Sequence, residues 1–183
     1  MTREEGLFLL KAARSAIEAH LHDQVSSLPE TESPVLWEKR GAFVTLHDTG
    51  GDLRGCIGRV ASTEALIQTV SQMAVEAAFH DPRFLPLKKE ELESVSLEVS
   101  VLSQVRRMND LDDIEIGRDG LLIHKGVASG LLLPQVAAEN RWDRETFLAH
   151  TCMKAGLSPA AWKEEDTEIS IFTAEIFSER AHA

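Results

Sequence analysis

Cysteine is nearly absent from this chain. Cys56 and Cys152 are too few for a disulfide scaffold and form no CxxC pair, so both are read as reduced thiols. Positive charge is short as well: 19 lysines and arginines stand against 30 aspartates and glutamates, a formal net charge of -11. With a pI near 5.1, no broad basic surface remains for a phosphate backbone or an anionic membrane. Nucleic acid is therefore not expected as a primary partner. No apolar run approaches the roughly 20 residues that span a bilayer, and Met1-Thr2-Arg3-Glu4-Glu5 lacks the basic-then-apolar order of a signal peptide, so a cytoplasmic protein is expected. The seven histidines make neither HxxxH nor HExxH. His20 and His22 would point to different faces of a helix, and no metal pair is expected. There are no internal repeats, no P-loop, no dinucleotide fingerprint and no Ser/His/Asp order.

What is present is an ordinary globular composition, 43% hydrophobic and 27% charged over 183 residues. That length suits a single domain over residues 1–183 with room for two lobes. Thr2-x-x-Glu5 has the form of a capping box for an amphipathic helix reaching about His22. Ser26 to Pro34 reads as a loop. Gly41 to His47, the turn residues Asp48 to Asp52 and the following LRGCIG stretch make a hairpin. Ser62 or Thr63 is the expected cap of a helix carrying Leu66, Ile67, Val70, Met73, Ala74 and Ala77 on one stripe. Pro82 ends it. Ser94 to Leu102 alternates as a strand with one buried and one polar face.

Downstream, Arg106 to Asp113 is polar and without period. Ile114 to Ile116, Leu121 to Lys125 and Leu131 to Leu133 read as a meander, with turns at residues 117–120 and 126–130. A short helix over Gln135 to Glu139 follows Pro134. Trp142 and Phe147 around an Asp143 N-cap fit a hydrophobic staple for a helix ending at Gly156. Ser158-Pro159 restarts a brief helix with Trp162, and Glu168 to Phe177 is strand-like.

The chemistry concentrates in Leu53-Arg54-Gly55-Cys56-Ile57-Gly58. Alternation along a strand puts Arg54 and Cys56 on one face, and a guanidinium near a thiol favours the thiolate. Gly55 and Gly58 leave room for a ligand or a second backbone. The competing reading is that Cys56 is a small core residue. Secondary candidates are Asp81 and Arg83 of the DPRF segment, Glu98 on the polar face of its strand as a general base, and His124, which interrupts the apolar run at Leu121 to Lys125. Each also has an ordinary structural reading: a turn starter, an ion pair, a solvated carboxylate, a structural histidine.

Taken together, GAFVTL, LRGCIG, DPRF, LEVSVL, GRDGLLI, GLLLPQVA, the Trp142-Asp143 helix start and KAGL resemble the AMMECR family, also called AmmeMemoRadiSam system protein A, over about Gly41 to Phe177. The resemblance implies an α+β fold, antiparallel or mixed sheets flanked by helices in two unequal lobes. It also implies a Memo-like protein and a radical S-adenosylmethionine protein as partners. It points to Arg54, Gly55, Cys56 and Gly58 as the functional centre and supplies no reaction and no cofactor. Two functions follow as expectations. Cys56, a thiolate supported by Arg54, acts on a small metabolite or a partner's product; or the same residues form a non-catalytic binding surface. Arg54, Arg59, Arg83, Lys88 and Lys89 can make a local basic patch, which keeps nucleic-acid binding as a third class.

Overall fold

The structure, a computed structural model, describes residues 1–24 and 28–180. Within the loop expected over Ser26 to Pro34, Ser26 and Ser27 lie outside the described residues. The fold is α+β, and its contacts divide it into two units, Met1–Leu102 with Glu175–Ala183, and Ser103–Ala174.

In the first unit the Thr2 hydroxyl accepts the Glu5 N–H while the Glu5 carboxylate accepts the Thr2 N–H, and this reciprocal cap starts α1 (Arg3–Leu21). Strands β1 (Ala42–His47) and β2 (Leu53–Arg59) form the expected hairpin, with Gly51 at φ +95° in its turn. Strand β3 (Ser96–Leu102) pairs on the other side of β1. The last strand, β7 (Glu168–Ser178), follows β3 with its C-terminal end, leaving β2 at the sheet edge. Ala42, Val44 and Leu46 point inward with Leu97, Val99 and Val101, where Leu9, Leu10 and Ile17 of α1 and the apolar stripe of α2 (Leu66–Phe79) close the core. Phe43, Thr45 and His47 take the opposite face.

Helix α2 starts later than its Ser/Thr signal suggested. Its N-cap is Ala65, whose N–H is accepted by the Gln68 side chain. The Ser62 hydroxyl is already engaged, accepting from Glu64 N–H and the Thr69 hydroxyl.

In the second unit β4 (Arg106–Arg107), β5 (Asp119–Lys125) and β6 (Ala128–Leu132) join residues 168–174 of β7 in antiparallel pairings. Helices α3 (Pro134–Glu139) and α4 (Arg144–Lys154) enclose a core of Ile114, Leu121, Ile123, Phe147, Leu148 and Cys152. Asp143 caps α4 by accepting the Thr146 N–H, and Trp142 meets Phe147 with ring centroids 6.5 Å apart. Two strand expectations fail here. Ile114 to Ile116 is not a strand, because the buried Asp119 carboxylate accepts the Glu115 N–H and the Glu115 carbonyl accepts the Asp119 N–H, closing a local turn instead. Gly130 belongs to β6, not to a turn. A Cβ there would lie 2.4 Å from the Ala155 backbone nitrogen, so it is glycine for close packing.

Candidate functional site

The LRGCIG stretch is β2, and its register on β1 decides what each residue does. Gly55 and Ile57 oppose Leu46 and Val44 on the core side, while Cys56 and Gly58 oppose Thr45 and Phe43 on the other face. Because Thr45 also opposes Glu98 on β3, Cys56, Thr45 and Glu98 form one row across three strands. At the open edge of the sheet the backbone of Cys56 faces away from β1, and the DPRF segment meets it. Asp81 Oδ2 accepts the Cys56 N–H at 2.9 Å, and Arg83 Nη2 donates to the Cys56 carbonyl at 3.2 Å. Two side chains thus occupy the position that a neighbouring strand would take.

The clamp is itself an ion pair. Asp81 accepts Arg83 Nε at 2.9 Å, Nη2 at 2.7 Å and the Arg83 backbone N–H at 3.1 Å. The Asp81 side chain is buried whereas that of Arg83 is 52% exposed. The Arg83 guanidinium, helped by the Cys56 and Arg83 amides, holds the Asp81 carboxyl well below the usual carboxylate range.

Arg54 does not serve Cys56. Its Nε and Nη2 donate to the two carboxylate oxygens of Glu91 at 3.0 and 3.2 Å, and Glu91 also accepts the Lys88 N–H at 2.9 Å. The expectation of a Cys56 thiolate supported by Arg54 is corrected accordingly, since a bidentate carboxylate partner has taken that guanidinium. Cys56 is half-buried, with the Thr45 hydroxyl 3.2 Å from Sγ. Burial pushes the thiol pKa up; Thr45 and Arg83 oppose the shift, while Asp81 and Glu98 add to it. The environment favours the neutral thiol.

The two motif glycines also have packing roles. A Cβ on Gly55 would stand 2.2 Å from the Ala77 carbonyl oxygen of α2, and one on Gly58 would stand 2.2 Å from the Phe43 ring. Gly55 therefore brings a helix backbone onto the strand, and Gly58 makes room for an aromatic ring. His124 belongs to the second unit, where it is exposed on β5 opposite Ser129 and Glu168.

Outside the sheet edge, Arg54, Arg83, Phe84, Leu85, Lys88 and Glu91 line an open cleft of 530 Å³. The Arg83 guanidinium lies over the Phe84 ring, 5.5 Å from its centroid. Leu53 is 41% and Leu85 78% exposed. Sequence reasoning missed Glu91 and Thr45. Thr45 is recoverable from strand alternation, but Glu91 sits in the charged run Lys88-Lys89-Glu90-Glu91, where nothing marks which carboxylate folds back. Among the described residues, no three His, Cys, Asp or Glu side chains gather as a metal site, and no helix is long and apolar enough to cross a membrane.

Comparison with known proteins gives a consistent match. The AMMECR1 family model matches residues 10–177. The protein TK0174 of Thermococcus kodakarensis is 47% identical over 186 aligned positions, 96% of this chain and 91% of the relative. A Methanothermobacter thermautotrophicus protein is 45% identical, covering 98% of this chain and 96% of the relative. The crystal structure of the uncharacterised protein PH0010 from Pyrococcus horikoshii is similar with a TM-score of 0.91 and 44% identity, over 98% of this chain and 94% of that one.

Proposed function

This chain belongs to the AMMECR1 family, and from that premise we propose that it is a binding module whose ligand site is the cleft between the LRGCIG strand and the DPRF loop. One observation carries the reading: the charged groups of both motifs are held in fixed pairs, Arg54 with Glu91 and Arg83 with Asp81, and both guanidiniums line an open cleft. Each carboxylate takes Nε and Nη2, and among the described residues no acceptor meets either Nη1. Two oriented donor edges with Lys88 nearby suit an anionic group. The Memo-like and radical S-adenosylmethionine proteins implied by the family resemblance are the first partners to try.

Binding is preferred to thiol catalysis because a nucleophilic cysteine needs a lowered pKa, and burial beside Asp81 and Glu98 acts in the other direction. In this reading Cys56 matters for packing and for the backbone groups that Asp81 and Arg83 hold. The rate of Cys56 alkylation against pH, measured in the folded Cys152→Ser protein, separates the two readings. The expected midpoint lies above the roughly 8.5 of a free thiol and does not move in Arg54→Ala. A midpoint below 7 would return the protein to the thiol enzymes and sink the binding reading.

A further inference from the structure

We infer that the ligand of this cleft is an acidic segment of a partner polypeptide, its carboxylates meeting the Nη1 edges of Arg54 and Arg83 and its flanking apolar side chains covering Leu53 and Leu85. The inference rests on the binding reading above and adds the class of ligand to it. The shape of the site argues against a small metabolite. Such ligands sit in concavities that bury most of their surface, whereas here Arg83 and Leu85 are 52% and 78% exposed on the wall itself.

Composition points the same way. Protein interfaces are enriched in arginine and in apolar anchors surrounded by polar groups. The cleft offers two arginines held rigid by carboxylates, with the exposed Leu85 on its wall and the exposed Leu53 next to Arg54 in the chain. The charge is local and against the grain. In a chain of net charge -11, Arg54, Arg83 and Lys88 line one cleft; Glu91 and Asp81 balance the two arginines, which leaves Lys88 as the excess positive charge beside the two Nη1 edges. An acidic partner segment is complementary to it. Strand addition is not the mode, because the β2 edge at Cys56 is already filled by Asp81 and Arg83. The segment binds through side chains.

The test titrates the full chain, observed by amide chemical-shift mapping, with an array of octapeptides carrying a central Asp-Glu pair flanked by Leu, Ile, Met or Phe. Succinate and inorganic phosphate are titrated in parallel. Leu85→Ser removes the exposed ledge without touching a buried contact, and Lys88→Gln removes a charge outside both ion pairs. The expected result is a peptide that perturbs the amides of residues 53–56 and 83–91, binds at least tenfold tighter than either small anion, and is weakened about tenfold by Leu85→Ser. Small anions that perturb the same amides as strongly as any peptide, with Leu85→Ser and wild type alike, would overturn the polypeptide ligand and leave the binding reading standing. No perturbation of these amides by any probe overturns both.

Discussion

Asp81→Ala is expected to lower the stability of the protein by about 2–3 kcal/mol, a loss of about 4–12 °C in Tm for a chain of this size. The buried carboxylate accepts from the Cys56 N–H and three times from Arg83, and its removal strands the first of these at the sheet edge. Arg83 is half exposed and regains water, which keeps the loss below the 3–5 kcal/mol of a fully buried broken pair. The same carboxyl makes the effect pH-dependent. Its folded pKa is depressed, so its stabilisation is complete above the unfolded value of about 3.9 and is lost as pH falls through the folded one. Urea unfolding of wild type and Asp81→Asn should therefore show a gap that is full at pH 7 and narrows below about pH 4. A gap that stays constant between pH 7 and pH 3 would show that the carboxylate charge is not what holds the edge.

Gly55→Ala should be at least as damaging, at about 3 kcal/mol. The added Cβ would stand 2.2 Å from the Ala77 carbonyl oxygen and 3.2 Å from its carbon, and both belong to a helix backbone that has no rotamer to change. Strand β2 has to lift from α2, loosening the core beneath Leu46 and Ala77 and exposing Cys56, so thiol alkylation should quicken as Tm falls. Gly126→Ala is the control. Its φ is +58° with nothing within 4 Å of the added carbon, so only backbone strain of about 1 kcal/mol is expected there. Equal losses at the two sites would mean that the close approach at Gly55 is not tight.

Much of the architecture was legible because its signals are local. The Thr2 capping box, the alternation through Val95 to Val101, the Asp143 N-cap with its Trp142 staple, and the glycine-rich turn before β2 each need only a few neighbouring residues. The meander was misread at Ile114 to Ile116 because a side chain five residues on, Asp119, competes for the backbone, and propensity does not register such competition. At the site, alternation is expected to put Arg54 and Cys56 on one face, but the register shift opposite Leu46 and His47 leaves Arg54 without a partner on β1 and interrupts the alternation there. What could not be read was direction. Whether Arg54 turns to a thiol or to a carboxylate 37 residues away depends on where the segment after α2 returns, and that is settled by the packing of Leu87 into the core. The glycines leave room for a ligand or a second backbone; at Gly55 the occupant is a second backbone, that of α2, and at Gly58 it is the Phe43 ring.

The arrangement at Cys56 has a consequence for how the protein keeps. A β-sheet whose last strand is sealed by two side chains, not by another strand, is finite only while those side chains stay in place. Protonating Asp81 in acid, or replacing it, frees the N–H and loosens the hold on the carbonyl of Cys56, an opening in the edge that a second molecule can fill. Storage at low pH should then link molecules into strand-paired polymers well before the cores of the two units melt, and solutions near neutrality should stay clear.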